Sequence, residues 1–348
     1  QPNELSFFNT PDCVFTLERT LPLSDSKTYL VTGCAGFIAS RVTQLLLNVG
    51  HTVVGIDNLN DYYDVSLKKH RISKLESPNF QFSILDLEDA SLVNALFEKH
   101  KFDGVINLAA RAGVRYSMIN PSVYMTTNAM GSLNLLEAMR NNGVRKYVLA
   151  STSSLYAGQE MPFVETLPVN NPLSSYAASK KAAEVLAYSH HHLYDLDISI
   201  CRYFTVYGPA GRPDMSYFRF IQWIDQGRPL EIFGDGTQSR DFTYVDDIAS
   251  GTIAALKPLG YEIFNLGGGK QPTTLLLMIE KLEELLGKKA KLEFKPFHIA
   301  DVKSTYADIS KAKSLLDWEP TISLDEGLEQ CVKWYRENQP WASSIELP

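Results

Sequence analysis

The stretch Thr28-Tyr29-Leu30-Val31-Thr32-Gly33-Cys34-Ala35-Gly36-Phe37-Ile38-Ala39-Ser40 decides the fold. A short apolar run passes through two glycines straight into FIASRVTQLLLNVG, which has the apolar spacing of a helix. A buried strand that turns through glycines into a helix brings backbone N–H groups and the positive helix end to one point, where a pyrophosphate can sit. The next strand, HTVVGID over 51–57, ends on Asp57, 24 positions beyond Gly33. A carboxylate there accepts hydrogen bonds from a ribose diol and repels a 2′-phosphate, so the order of strand, turn, helix and acid predicts a dinucleotide site that favours NAD over NADP. A tight turn and a strand-end aspartate with no ligand is the plainer reading of the same residues, and the ordered set argues against it.

Outward from this unit the alternation continues. NFQFSILDL (79–87), FDGVINLAA (102–110), KYVLAST (146–152) and ISICRYF (198–204) read as strands, with helical segments near 89–100, 121–142 and 174–194 between them. The expected fold is α/β: a doubly wound, Rossmann-like parallel sheet over 27–207, with its ligand across the carboxyl ends of the strands. After Gly208 proline and glycine become more frequent, and helices are expected near 272–287 and 325–337. Residues 208–348 are read mainly as a smaller α/β substrate-binding lobe, some of whose chain crosses back to the first domain. Residues 1–26 form an N-terminal arm outside both.

The 348 residues, 45% hydrophobic, are enough for a sizeable core. No apolar run is long enough to cross a bilayer, and the first residues lack the basic and apolar blocks of a signal peptide, so a cytoplasmic location is expected. Cys13, Cys34, Cys201 and Cys331 are scattered in the sequence, which suits free thiols. A net charge of −7 argues against nucleic acid or an anionic membrane as partner. The run His190-His191-His192 points in three directions on a helix and is not expected to close on one metal ion.

Far downstream, SSYAASKKAAEV places Tyr176 and Lys180 four residues apart, on one face of a helix. An ammonium one turn from a phenol favours the phenolate, which can then exchange a proton with a substrate alcohol near neutral pH. An exposed tyrosine beside a solvated lysine has the same spacing, so the pair gains its weight from the dinucleotide motif upstream. Alcohol-to-ketone chemistry is the expectation.

TGCAGFIAS, DNLNDYYDVSLK, INLAARAGVRYS, STSSLYA, YAASK, RYFTVYGPAGRPDM, GTQSRDFTYVDDI and ADVKSTYAD occur in this order between about Thr28 and Tyr335. Together they resemble the extended short-chain dehydrogenase/reductases, and among these the nucleotide-sugar epimerases of the UDP-glucuronate 4-epimerase type. Three positions depart from that pattern: Ala39 where glycine is usual, Asn107 where histidine is, and Ala157 where glycine is. The resemblance implies a UDP-sugar substrate, bound NAD and a homodimer packed through the helices near 121–142 and 174–194. It implies Tyr176, Lys180 and Thr152 as catalytic. It places Gly33, Gly36, Phe37, Ile38, Asp57, Asn58, Asp86, Leu87, Leu108, Ala109, Ala110, Arg111 and Asn128 against NAD, with Tyr176 and Lys180. Arg212 and Thr205 are expected at a sugar carboxylate, Arg240 at the diphosphate, and Arg115, Ser153 and Asp301 in the sugar pocket.

The implied reaction oxidises C4 of the sugar to a ketone and returns the hydride to the other face. Related 4,6-dehydratases carry Asp-Glu where this chain has Ser153 and Ser154, and the related decarboxylases usually carry Glu at the position of Ser154, so both reactions rank lower. A UDP-hexose or N-acetylhexosamine 4-epimerase and a noncatalytic NAD-binding scaffold remain as alternatives. Retention of both Tyr176 and Lys180 counts against the scaffold.

Overall fold

The protein is seen in a computed structural model that describes residues 26–297 and 302–347; Asp301 and Cys13 lie outside the described residues. The first six strands are β1 (Thr28–Thr32), β2 (Thr52–Asp57), β3 (Phe80–Ile84), β4 (Gly104–Asn107), β5 (Lys146–Thr152) and β6 (Asp197–Tyr203). Seven follow: β7 (Thr205–Tyr207), β8 (Pro229–Phe233), β9 (Ser239–Arg240), β10 (Phe242–Tyr244), β11 (Tyr261–Leu266), β12 (Thr273–Thr274) and β13 (Lys291–Lys295). One parallel sheet has the order β3-β2-β1-β4-β5-β6-β11. The expected doubly wound α/β architecture is therefore present. From β1 the chain winds outward to β2 and β3 on one side and to β4, β5 and β6 on the other, so the crevice between β1 and β4 is the switch point where such sheets bind ligands.

Successive side chains of each strand enter opposite apolar layers. Tyr29, Val31, Val53, Ile106 and Val148 face one layer, and Leu30, Val54, Val105, Tyr147 and Leu149 face the other. Strands covered on both faces carry near-continuous apolar runs, which is why they stand out in the sequence.

Two strands end earlier than their composition suggests. The run 102–110 leaves the sheet after Asn107 because the Thr32 hydroxyl takes the N–H groups of Leu108 and Ala109, at 3.1 and 3.0 Å. The run 79–87 stops at Ile84, before the Asp86 carboxylate accepts the Glu88 N–H at 3.0 Å and turns the chain. The segment 121–142 is three pieces rather than one helix: Pro121–Tyr124, a wide π-helical stretch Met125–Met130, and Gly131–Asn141. Asn128 sits in the wide stretch and is bonded outside its own helix to Arg111.

Residues after Gly208 build short two-stranded ladders, β8 with β13 and β9 with β12, and β10 pairs with β7 just before that glycine. They also return to the first domain: β11 completes the central sheet, and the helix Val245–Ala254 packs on the helix Phe37–Asn48, with Arg41 paired to Asp246 at 2.6 Å. No described helix is long and apolar enough to cross a membrane.

Candidate active site

The five carboxyl-terminal strand residues Thr32, Asp57, Asn107, Thr152 and Tyr203 lie along one edge of the sheet, and the site is built there. Gly33 has a φ of +66°, and a Cβ on it would come within 2.8 Å of the Ala109 backbone. A Cβ on Gly36 would meet the Gly33 carbonyl oxygen at 2.8 Å. No side chain caps the helix Phe37–Asn48 at Gly36, so its first N–H groups face the crevice ready for an anion. Phe37 and Ala39 are buried, so any contact they make with a ligand here is through the backbone, whereas Ile38 is half-buried. Ala39 fits the close packing that the usual glycine provides.

At the end of β2, Asp57 Oδ1 accepts the Leu59 N–H at 2.7 Å, and Lys68 Nζ lies 3.6 Å away. Asn58 donates to Asp86 at 2.8 Å, joining the ends of β2 and β3, while Leu87 is buried beneath Gly131. The loop Leu108 to Arg111 is half-buried along the crevice. It is fixed by Thr32 at one end and by Asn128 at the other, which accepts the Arg111 N–H at 2.8 Å and donates to its carbonyl at 2.9 Å. Asn128 also donates to Ser179 at 2.9 Å, so its amide holds this loop to the helix that carries Tyr176. Arg111 donates to Asn60 at 3.2 Å, and its buried Nε has no hydrogen-bond partner. Uncapped N–H groups, a strand-end carboxylate and an unsatisfied guanidinium N–H line one crevice, and that donor and acceptor set fits a dinucleotide diphosphate with its ribose. Asn107 faces away from this crevice. It accepts from Thr32 at 2.7 Å and donates to Ser132 and Tyr147 at 3.1 and 2.7 Å, so its departure from histidine is an interior matter.

Ser174 caps the helix Ser175–Tyr194 by accepting the Ala177 N–H at 3.1 Å, which fixes Tyr176 in the first turn and Lys180 one turn on. Tyr176 is half-buried, its ring 6.1 Å from that of Tyr124 in an edge-on contact. Burial raises its phenol above the usual value; a hydrogen bond with Thr152 and the Arg212 charge act to lower it, and Asp214 raises it. Lys180 is buried and donates to the Ala150 carbonyl at 2.9 Å. Thr152 and Arg212 act to lower the phenol, and Lys180 stands one turn on in the same helix, held against β5. Ser153, half-buried, opens the short 3-10 turn after Thr152, and Ala157 closes it.

Arg212 is already paired. Its Nε donates to Asp214 Oδ1 at 3.0 Å and its Nη2 to Asp214 Oδ2. Burial would weaken the guanidinium's hold on its proton, but Asp214 reverses this. Thr205 is half-buried at the start of β7, opposite Phe242. Arg240, in β9, donates to the Ser239 carbonyl at 2.8 Å, and Arg115 stacks 4.1 Å from the centre of the Phe233 ring, joining the first domain to the lobe. Asp301 lies outside the described residues.

A description of the NAD dependent epimerase/dehydratase family matches residues 29–267. The chain belongs to this family. A UDP-glucuronate 4-epimerase of Thermodesulfobacterium geofontis is 61% identical over 320 residues, covering 92% of this chain and 99% of that protein. The crystal structure of UDP-glucuronic acid 4-epimerase from Bacillus cereus, in complex with UDP-glucuronic acid and NAD, superposes with a TM-score of 0.84 at 41% identity over 89% of this chain and 99% of that one. UDP-glucose 4-epimerase of Thermotoga maritima, with UDP-glucose, gives a TM-score of 0.81 at 32% identity over 90% and 99%.

Within this epimerase/dehydratase fold, sequence reasoning missed four contributors. Lys68 and Arg71 lie on the helix Val65–Ser73, inside the quoted motif DNLNDYYDVSLK and just beyond it. Their i, i+3 spacing was a signal, but Asp57 as the Lys68 partner was not visible. Asp214 sits two residues from Arg212, and this closeness was legible in GRPDM. Tyr62, whose ring is 5.4 Å from that of Tyr116, had no local signal. Two of the three histidines go to separate partners: His190 lies 2.9 Å from both the Leu186 carbonyl and Glu137, and His191 lies 2.8 Å from the Leu196 carbonyl. Cys34, Cys201 and Cys331 are free and buried.

Proposed function

We propose that the chain interconverts UDP-glucuronate and UDP-galacturonate as a 4-epimerase with tightly bound NAD. The observation that carries this is a guanidinium, Arg212, close enough to act on the Tyr176 phenol in a family of sugar-nucleotide enzymes. The 61% identity to a UDP-glucuronate 4-epimerase supports the same substrate. The likeness to a UDP-glucose 4-epimerase keeps the neutral hexose as the second reading.

NAD, bound along Gly33, Gly36, Asp57 and the loop Leu108 to Arg111, supplies the hydride acceptor and donor for C4. Tyr176 takes the proton from the 4-hydroxyl and later returns it; Thr152 steadies the oxygen on which negative charge gathers. Ser153 lies beside it. Lys180 has donors left beyond the Ala150 bond for a ribose. Arg240 sits on the diphosphate, and Arg115 and Thr205 border the sugar.

Oxidation at C4 makes a β-keto acid, which loses carbon dioxide most easily when the carboxylate stands perpendicular to the carbonyl plane. Arg212 holds the carboxylate away from that torsion by a fork of N–H donors, one edge of which Asp214 occupies. The exposed apolar residues Val185, Tyr188 and Leu193 on one helix and Met125 and Met130 on its neighbour fit cover by a second copy. The enzyme is thus expected to be a cytoplasmic homodimer, of twice 39.0 kDa by light scattering, and a single-chain mass would refute the dimer.

Incubation with UDP-glucuronate, followed by NMR, tests the reading. UDP-galacturonate with all carbons retained is expected. In Arg212→Ala, kcat/KM should fall for both substrates because the Tyr176 phenol loses a charge that favours its ionised form, but about 100-fold further for the uronate than for UDP-glucose, and pentose should appear. Equal losses on both substrates would remove Arg212 from the carboxylate.

A further inference from the structure

One turn beyond Lys180 lies a buried ion pair, Glu184 with Arg202, to which the proposed reaction gives no part. Glu184 follows Lys180 by one turn, so Tyr176, Lys180 and Glu184 share a helix face. Arg202 of β6 meets Glu184 with two bonds, Nε to Oε1 at 2.9 Å and Nη2 to Oε2 at 2.8 Å, and each side chain is 2% exposed. Ser151 donates to Glu184 Oε1 at 2.7 Å, and the next residue on that strand is Thr152. Arg202 Nη1 donates to Tyr156 at 2.8 Å, and the Tyr156 hydroxyl donates to Asn265 of β11 at 2.7 Å. One carboxylate therefore ties the helix of Tyr176 to β5 and β6 directly and to β11 through two more side chains.

A buried ion pair can often be replaced by apolar side chains with no loss of stability, so cohesion alone does not call for charge here. Its position does. Lys180 donates to an uncharged carbonyl, that of Ala150. Burial lowers its ammonium to about 8, and Glu184 is the charge that opposes this. The other elements packed on this helix bring few competing charges to that point. Glu137 and Arg140 of the helix Gly131–Asn141 meet His190 and Tyr194 at its far end, and Arg115 stacks on Phe233. Tyr124 stands against Tyr176, Tyr156 and Lys181 reach Arg202 and Glu184 respectively, and Lys146 of β5 is held by Asp197.

We propose that Glu184, held by Arg202, is a positioning residue for the reaction: it is the counter-charge that keeps Lys180 an ammonium and the tie that keeps Thr152 in register with Tyr176. This rests on the reading of Tyr176 and Lys180 as the proton-transfer couple. The test is the pH profile of kcat for UDP-glucuronate epimerisation, with thermal unfolding alongside, in the intact protein, in Glu184→Gln and in Ser151→Ala. The paired variant Glu184→Gln/Arg202→Met leaves no unpaired buried charge and serves if the single variant fails to fold. Loss of the carboxylate should move the alkaline limb about one pH unit lower in both Glu184 variants. Ser151→Ala should lower the melting temperature and leave the limb in place. Superimposable limbs with lowered melting temperatures would reduce Glu184 to a structural role and overturn the proposal. No turnover by the intact protein would refute the epimerase reading instead.

Discussion

Asp57 meets two demands with one carboxylate. Its Oδ1 shapes the turn after β2 by accepting the Leu59 N–H, and Lys68 stands 3.6 Å away with Arg111 close enough to act on that lysine. A ribose diol suits the carboxylate, and a 2′-phosphate does not. Removing the carboxylate in Asp57→Ala exposes two cations at the same place. The ratio of Kd for NADP to Kd for NAD should fall by at least about tenfold, read by fluorescence titration of cofactor-stripped protein. An unchanged ratio would mean that Asp57 does not face the ribose. This residue was legible because strand, turn and acid come in order along the chain. The environment of Tyr176 was not. Spacing gives a neighbour on the same helix, but burial, Thr152 and Arg212, which also act on the phenol, come from other parts of the chain. Asn107, a departure in the sequence motif, proved to be an interior residue for the same reason: its partners Ser132 and Tyr147 are distant in sequence.

The helix Val65–Ser73 shows how an element outside the sheet serves the site. Asp64 caps it by accepting the Ser66 N–H at 2.8 Å, which aligns Lys68 and Arg71 toward the crevice. Arg71 is buried and donates to Ala210 at 2.9 Å, to Ala35 at 3.1 Å and to Gly211 at 2.9 Å, all through carbonyl oxygens, and to the Tyr63 hydroxyl at 2.6 Å. It thus bolts the glycine turn after β1 to the loop that presents Arg212. Arg71→Met leaves those carbonyls without a donor, at a cost of about 2–4 kcal/mol. The melting temperature should drop and KM for the sugar nucleotide should rise more than kcat falls. Unchanged stability would show that the bolt is dispensable. Elements of the central sheet were readable because strands buried on both faces are apolar throughout. Their ends were less so, since Thr32 draws the backbone of Leu108 and Ala109 off the sheet through a contact 76 residues away in sequence.

Across the whole molecule, the chain after Gly208 both forms the lobe and returns to the sheet. β11 adds the last strand, and Trp341 donates to Ser66 at 3.0 Å, so the two parts are tied on both sides of the crevice. The sequence showed a loosened pattern there but not which strand would cross back, because parallel pairing of β11 with β6 joins residues far apart in the chain. A crevice lined by Tyr176, Thr152 and Arg212, with Arg115 stacked on Phe233 of the lobe, suits a reaction in which the oxidised sugar turns over without leaving and the cofactor ends as it began. UDP-glucuronate carrying deuterium at C4 tests this most directly. Followed by NMR and mass spectrometry in ordinary water, the UDP-galacturonate formed should retain the deuterium at C4 through repeated turnover. Loss of the label to solvent, or its transfer to added NAD, would contradict a hydride taken and returned within one closed site.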